Sequence, residues 1–205
     1  MASDEETKLK RRLEELRLKK RHERINNVRL ESLEVLANLP TPEAKATFVS
    51  KMPGYLLPDE MPQKVVEELI EGLVIFGKYE LAAHYSKSIE NYENAINYYI
   101  KTSLQHKEDL GYSHIFVERA AEIAREELHN PKREIAILAE HGLVHKAIER
   151  ASEIGDLEMG LRIAEENFCW RDAAKFASKL GQKQKCKTYQ QILDLFTEAQ
   201  CLDPH

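Results

Sequence analysis

The sequence lacks the features that define several large classes of protein. No apolar run approaches the roughly 18 residues that a membrane-spanning helix needs, so we expect no transmembrane segment. The first twelve residues contain no apolar core of the kind that signal peptides carry. Only three cysteines are present, Cys169, Cys186 and Cys201, and their spacing forms no disulfide framework. This composition predicts a cytoplasmic protein with reduced thiols.

Glycine and proline are also scarce, with eight and seven residues, which favours a helical protein. The sequence contains no phosphate-binding glycine loop, no nucleophile elbow, no helical zinc-protease motif and no recognisable pair of catalytic carboxylates. Charged residues make up 32% and hydrophobic residues 42%, values typical of a globular chain rather than a disordered one. We therefore predict an all-α protein that is not an enzyme and carries no cofactor.

The net charge of −5 is unevenly distributed along the chain. Between Thr7 and Arg24, nine basic and three acidic residues give a net charge of +6, so the rest of the chain carries −11. Closely spaced basic residues on a helix attract phosphates or an acidic partner. The candidate binding residues here are Lys8, Lys10, Arg11, Arg12, Arg17, Lys19, Lys20, Arg21 and Arg24. The alternative interpretation is a solvated helix whose glutamates neutralise its own basic residues.

Residues 3 to about 39 contain neither proline nor glycine and predict one long helix. One short apolar stripe offers a weak coiled-coil alternative; it consists of Leu9, Leu13 and Leu16. A second stripe, interrupted by His22 and Ser32, consists of Leu18, Ile25, Val28, Val35 and Leu39. We expect the helix to begin in solvent and its more apolar end to dock on the rest of the protein. The predicted domains are a basic helical arm, residues 1–39, and a helical repeat domain, residues 40–205.

Prolines and capping residues divide the next hundred residues into shorter helices. Thr41 and Pro42 predict one helix start, Pro62 a second, and Asn130 with Pro131 a third. The predicted helices cover residues 42 to about 52, 62–76, 78–87, 89–104, 113–128 and 131–140, with an irregular loop over 53–61. In the helix over 113–128 we expect the residues that face the core to be Ile115, Ala120, Ile123 and Ala124.

The last third of the chain contains an internal repeat of thirteen residues. A small residue recurs at this interval, at Ala147, Gly160, Ala173 and Cys186. A second small residue follows four positions later at Ala151, Ala164 and Ala177. Residues four apart lie on the same face of a helix, so these pairs predict sites where a neighbouring helix approaches closely.

Three glycines recur with the same period and fit the left-handed position just after a helix end. They are Gly142, Gly155 and Gly181, and Phe168 occupies the missing fourth position. A helix of about ten residues followed by a turn accounts for the repeat length. Helices joined by such short links pack antiparallel. The repeat therefore predicts a row of helical hairpins, closed at its end by a longer helix over residues 182–201.

Two stretches resemble known helical repeats. Ser88 to Leu104, with Tyr92, Ala95 and Tyr99, resembles the first helix of a tetratricopeptide repeat (TPR). Ile154 to Gly181 is similar to the helical hairpins of clathrin-type and coatomer-type coat proteins. The resemblance, over roughly residues 76–190, implies a right-handed, TPR-like solenoid with a scaffolding role. Such a scaffold is expected to bind a protein or peptide on its concave face.

Six tyrosines cluster in one third of the chain, at Tyr79, Tyr85, Tyr92, Tyr98, Tyr99 and Tyr112. They fit either a peptide groove or an interhelical core. Tyr98 is the candidate for binding, because its neighbour Tyr99 occupies the position that faces the core.

Two metal-site patterns and one nuclease pattern are weaker alternatives. His141 and His145 are four apart but separated by Gly142, and Cys201 with His205 lacks a second cysteine pair. The spacing of Arg17 and His22, and the stretch from Gly77 to Ala83, resemble HEPN-type helical nucleases, but in the reverse order. The sequence thus favours a protein-interaction scaffold, and a nucleic-acid-binding protein that uses the basic helix is the alternative.

Overall fold

A computed structural model describes residues 2–51 and 60–202, and within these residues the fold is all-α. This part contains eleven helices and no strand, which confirms the predicted class. The helices are α1 (Ala2–Asn38), α2 (Pro42–Lys51), α3 (Gln63–Ile75), α4 (Tyr79–Ser88), α5 (Tyr92–Gln105), α6 (Leu110–Glu126), α7 (Pro131–Glu140), α8 (Val144–Glu153), α9 (Leu157–Glu166), α10 (Trp170–Lys179) and α11 (Lys183–Leu202). Residues 53–59 of the predicted loop lie outside the described residues. No helix in the described ranges is long and apolar enough to cross a membrane.

The chain forms two compact units, Met1–Asn91 and Tyr92–His205, each held together mainly by contacts among its own residues. In the first unit, α1 is one helix of 37 residues, close to the predicted span. Its end is buried at Ser32 and Leu36, whereas Ile25, Val28 and Val35 are exposed. The end of the helix is therefore buried, as expected, but through Ser32 and Leu36 rather than through Ile25, Val28 and Val35 of the second apolar stripe. The helix packs through the face that Ser32 and Leu36 share, four residues apart, and most of the stripe remains uncovered.

A buried lysine joins three helices of the first unit. The Nζ atom of Lys45 in α2 donates to the carbonyl oxygen of Leu39, 2.8 Å away, just beyond the end of α1. The same atom lies 2.7 Å from Oε2 of Glu68 in α3 and lowers the pKa of that carboxyl group. The predicted cap of α2 is present, since Thr41 Oγ1 accepts from the Ala44 amide at 3.2 Å. A polar contact therefore fixes the point where α1 meets α2 and α3.

In the second unit the thirteen-residue repeat sets the helix starts. Helices α7 to α11 begin at residues 131, 144, 157, 170 and 183, so the repeat begins one helix earlier than the sequence indicated. A residue with positive φ lies two or three positions after each helix end, at the same interval: His129, Gly142, Gly155, Phe168 and Gly181. Asp156 caps α9 as predicted, accepting from the Met159 amide at 3.1 Å.

The repeated small residues are buried where neighbouring helices meet. Their side chains have no exposed surface at Ala147, Ala151, Ala164, Ala173 and Ala177. Gly160 is also buried, and the Phe176 ring of α10 occupies the space that a Cβ atom at this position would need. This confirms the prediction that small residues allow close approach, and it identifies Phe176 as the side chain that fills the space at Gly160.

Two helices depart from their predicted boundaries. α5 begins at Tyr92 rather than Ile89, because Glu90 adopts a positive φ of 58° and ends the preceding turn. α6 begins at Leu110 rather than Ser113, because the Asp109 side chain caps it by accepting from the Tyr112 amide at 3.0 Å.

The buried face of α6 also differs from the prediction. Ala120, Ile123 and Ala124 are buried as predicted, together with Phe116 and Val117. The expectation that Ile115 faces the core was wrong, because 46% of this side chain is exposed.

Candidate binding groove

Alternate helices of the second unit line one face of the helical array. Two depressions lie on this face, with volumes of about 420 and 410 Å³. The first is lined by α6 and α8, with α7 between them, and the second by α8 and α10. Both include Glu149 of α8, so the two depressions adjoin at this residue. We refer to this surface, across α6, α8 and α10, as the even-helix groove.

The α6 wall of the groove combines apolar and cationic surface. Ile115 is half exposed and Leu138 of α7 is buried beside it in the lining. The guanidinium carbon of Arg119 lies 5.4 Å from the centre of the Phe116 ring and 5.8 Å from that of Tyr99. Such stacking holds the arginine against the wall. The wall can therefore contact both aliphatic and polar parts of a ligand.

A buried carboxylate stabilises the base of the first depression. Glu134 of α7 is only 3% exposed. It accepts from Nη1 of Arg125 in α6 at 3.3 Å and from Nε and Nη2 of Arg150 in α8 at 3.1 Å. Hydrogen bonds from Arg150 to Glu153 and Glu134 raise the pKa of that arginine. Since one carboxylate joins three helices, the depression has a fixed, fully paired base.

The walls of the first depression carry two carboxylates without a partner. Glu118 and Lys146 form an ion pair at 2.5 Å across the groove, from α6 to α8. Glu122 of α6 and Glu149 of α8 line the same depression, and neither has a hydrogen bond or ion pair to any described residue. Both side chains are exposed. The lining as a whole holds four acidic and four basic side chains, and Glu122 and Glu149 are the two carboxylates in it that bind no described cation.

The second depression ends in positive charge. Asp172 and Lys175 of α10 form an ion pair at 2.8 Å within the same helix. Lys179, one turn further along α10, lines the depression and pairs with no described carboxylate. His145 of α8 and the largely buried Phe176 complete the surface. Lys179 therefore places an unpaired positive charge at the α10 end of the second depression.

The residues that the sequence singled out lie elsewhere. Arg12, Arg17, Lys19 and Lys20 are exposed on α1. The side chains of five others on the same helix lie outside the described part of the structure: Lys8, Lys10, Arg11, Arg21 and Arg24. Tyr98 is half-buried on α5, with Lys101 Nζ 5.6 Å from the centre of its ring. It does not line the even-helix groove.

The residues of the metal patterns are separated in the fold. His141 follows the end of α7, Gly142 has a φ of 87°, and His145 belongs to α8, so the two histidines do not belong to one helix. His205 and the Cys201 side chain lie outside the described residues. Among residues 2–51 and 60–202, no group of three or more histidine, cysteine or acidic side chains is arranged to hold a metal ion.

Cys169 lies between α9 and α10, inside the repeat region. Burial, and secondarily the charge of Asp172, raise the pKa of the Cys169 thiol. Thiolates are the reactive form, so a raised pKa lowers reactivity at neutral pH.

Comparison of the chain with protein-family models, with curated proteins and with solved structures found no match in any of the three.

Sequence reasoning missed the groove because it looked for clusters of one residue type. The useful signal was the spacing of Phe116, Ala120, Ile123 and Ala124, which places Ile115 beside the core face of α6 rather than within it. A second signal was the thirteen-residue period, which returns every second helix to the same face. Together these two features indicate which polar residues of α6, α8 and α10 share a surface.

Proposed function

We propose that this protein is a non-enzymatic scaffold that binds a segment of another protein in the even-helix groove. The observation that carries the proposal is the pair of adjoining depressions over α6, α8 and α10, with exposed apolar surface at Ile115 and two unpaired carboxylates, Glu122 and Glu149. An extended or helical peptide fits such a surface by burying apolar side chains and placing a lysine or arginine near the carboxylates.

The proposed architecture is a right-handed, TPR-like solenoid in which the even-helix groove is the concave face. Two features support it: the regular thirteen-residue spacing of α7 to α11, and the fact that alternate helices line one surface. Stacked helical hairpins create extended binding surfaces of this kind. Cytoplasmic localisation belongs to the same proposal and rests on the cysteine content.

Selection from a displayed library of random peptides of about 15 residues, with the full-length protein as bait, tests the proposal. We expect enriched peptides to carry a basic residue next to apolar ones. The variant Glu149→Lys should weaken their binding by at least about tenfold, because it replaces an attraction by a repulsion at the shared point of both depressions.

The matched control for that variant is Glu158→Lys. Glu158 is an exposed glutamate of α9, on the other face of the array, and it forms no ion pair with a described residue. It changes the net charge equally and should leave peptide binding unchanged. Equal losses in both variants would indicate a general charge effect and would contradict a groove site.

The second candidate function is nucleic-acid binding through α1, favoured by the exposure of Arg12, Arg17, Lys19 and Lys20. Removing one basic residue that binds a phosphate should reduce the salt dependence of binding by nearly one unit of log–log slope. A duplex DNA of mixed sequence, titrated at several salt concentrations against the protein and against a variant with these four residues changed to glutamine, measures that slope. Unchanged slopes would refute a role for the helix in nucleic-acid binding.

A further inference from the structure

Phe168, in the turn between α9 and α10, is the most exposed large apolar side chain in the described part of the chain, at 74%. Its φ is 58°, a left-handed conformation, and glycine occupies three of the five equivalent positions of the array. A side chain costs free energy there because its Cβ atom crowds the backbone. The exposed ring offsets none of this cost within the chain, and backbone strain of this kind is typical of ligand-binding positions.

Trp170, at the start of α10, forms a corner with this ring. The ring centres of Phe168 and Trp170 are 5.7 Å apart, and the two rings are inclined by 72°. Trp170 is half-buried and stacks on Tyr189 of α11, with ring centres 5.8 Å apart. The Tyr189 hydroxyl group donates to Glu165 of α9, so the ring that supports the indole is itself held in place. We refer to Phe168 and Trp170 as the aromatic corner.

The aromatic corner also offers a hydrogen-bond donor and a positive charge. The indole nitrogen of Trp170 donates to no described acceptor and keeps contact with solvent. Arg171, the next residue, is exposed and forms no ion pair with a described residue. The acidic residues closest to it in sequence are Glu165, Glu166 and Asp172, and each of them pairs with a lysine or an arginine. The charge of Arg171 is therefore left uncompensated.

We propose that the aromatic corner binds a proline-rich segment of another protein that also carries acidic residues. Such a segment adopts the polyproline II conformation, in which the backbone carbonyl groups have no partner within the segment. Grooves lined by aromatic rings recognise segments of this kind. A proline ring packs against Phe168 and Trp170, the indole nitrogen donates to a carbonyl group of the segment, and Arg171 pairs with an aspartate or glutamate.

Phe196 of α11 provides a second apolar contact at a matching distance. It lies seven residues after Tyr189 on the same face of α11, and 58% of its side chain is exposed. Seven residues of helix span about 10.5 Å, and three residues of polyproline II span about 9.3 Å. Two prolines three positions apart can therefore contact the aromatic corner and Phe196 together.

Tryptophan fluorescence of the full-length protein tests the proposal, because Trp170 is the only tryptophan in the sequence. The probe is a synthetic peptide of about ten prolines with two aspartates at each end. We expect a saturable blue shift of the emission as the peptide covers the indole. The same peptide with lysines in place of the aspartates should bind about tenfold more weakly. A peptide with glycine and serine in place of the prolines should cause no shift.

The variant Phe168→Gly separates binding from stability. It should weaken peptide binding by at least about tenfold, because it removes one ring of the corner. It should not lower the melting temperature, because glycine suits the left-handed conformation. The control Leu110→Ala, which truncates a leucine of α6 that is 66% exposed, should leave peptide binding unchanged.

A charge exchange tests the role of Arg171. Arg171→Glu should weaken binding of the aspartate peptide by about tenfold and strengthen binding of the lysine peptide. The matched control is Lys183→Glu, at an exposed lysine of α11 that pairs with no described residue, and it should change neither affinity by more than about twofold.

Several results would overturn the proposal: no shift with the proline peptide, equal binding of the aspartate and lysine peptides, or unchanged binding by Phe168→Gly. A clear loss of thermal stability in Phe168→Gly would overturn the argument from backbone strain. A blue shift on concentrating the protein alone would assign the corner to a second copy of this chain and overturn the proposal as well. The groove variant Glu149→Lys should bind the proline peptide as the parent chain does, so the two binding surfaces are tested separately.

Discussion

Gly160 makes the packing of the array testable with a single methyl group. A Cβ atom at this position would lie 2.4 Å from Cζ of Phe176 and 2.6 Å from Cε1. Ordinary carbon contacts are about 3.5–4.0 Å, so the ring would have to move by about 1 Å. The ring is only 3% exposed and is enclosed by the array. The change Gly160→Ala therefore forces a rearrangement where α9 and α10 meet.

The expected size of the effect follows from two opposed contributions. Overpacking a well-packed core costs about 1–3 kcal/mol. Replacing a glycine inside a helix by alanine gains up to about 1 kcal/mol. We therefore expect Gly160→Ala to lower the free energy of unfolding by about 1–2 kcal/mol, which is about 2–8 °C in melting temperature for a chain of this size.

A double-mutant cycle measures the interaction energy between positions 160 and 176. The free energy of unfolding in urea is compared for the parent chain, Gly160→Ala, Phe176→Leu and the double variant. Leucine removes the part of the ring that would collide with the new methyl group. Gly160→Ala should then stabilise the Phe176→Leu background, giving a coupling energy of about 2 kcal/mol between the two positions. The control is Gly111→Ala in α6, where the nearest atom to a new Cβ is Asp109 Oδ1 at 3.6 Å. It should be neutral or stabilising. Additive effects of the two changes in the cycle would refute the proposed contact.

Three further changes test other parts of the structure. Gly155→Ala should destabilise by about 0.5–1 kcal/mol in urea unfolding, because φ is +75° there and no atom lies within 4 Å of a new Cβ. Lys45→Met should cost about 1–3 kcal/mol in the same assay, because it removes hydrogen bonds to Glu68 and to the carbonyl group of Leu39. Burial, and a hydrogen bond donated to Glu165, raise the pKa of Tyr189 to about 12. This tyrosine therefore contributes stability below pH 10 that is lost as the pH rises through about 12, and Tyr189→Phe should lose less stability than the parent chain between pH 9 and pH 11.

For each of these three variants, one result would contradict the structural explanation given for it. Stabilisation by Gly155→Ala, the usual effect of alanine in a helix, would show that residue 155 does not adopt the left-handed conformation. A neutral Lys45→Met would mean that the lysine does not hold the junction of α1, α2 and α3. An equal loss of stability on alkalinisation in the parent chain and in Tyr189→Phe would exclude a buried, hydrogen-bonded phenol at position 189.

Local chemistry made the repeat helices predictable from the sequence. Few residues other than glycine suit a left-handed backbone position, and few other than alanine or glycine fit where two helices are in close contact. The thirteen-residue period of these residues therefore indicated both where the helices end and which of their faces are buried. Asn130, which caps α7 by accepting from the Arg133 amide, is another such local signal. The same reasoning missed His129, which lies thirteen residues before Gly142 and has a positive φ of 49°. Histidine, unlike glycine, does not indicate a left-handed conformation from the sequence alone.

The candidate groove could not be predicted because its chemistry depends on which ion pairs form. Glu118 and Glu122 are alike in sequence, one turn apart on α6. Only the packing of α8 against this region shows that Glu118 pairs with Lys146, whereas Glu122 stays without a partner among the described residues. The buried face at the end of α1 was missed for a related reason. Ser32 looked like an interruption of the apolar stripe, yet its hydroxyl group donates to the Val28 carbonyl at 2.7 Å and can be buried.

Amide chemical-shift mapping on the isotope-labelled full-length protein, titrated with a peptide from the proposed selection, tests the central functional claim most directly. We predict that the largest shift changes fall on α6, α8 and α10, centred near Glu122 and Glu149, and that the Glu149→Lys variant abolishes them. Changes concentrated on α7 and α9, or on α1, would contradict the account and place the binding surface elsewhere on the molecule.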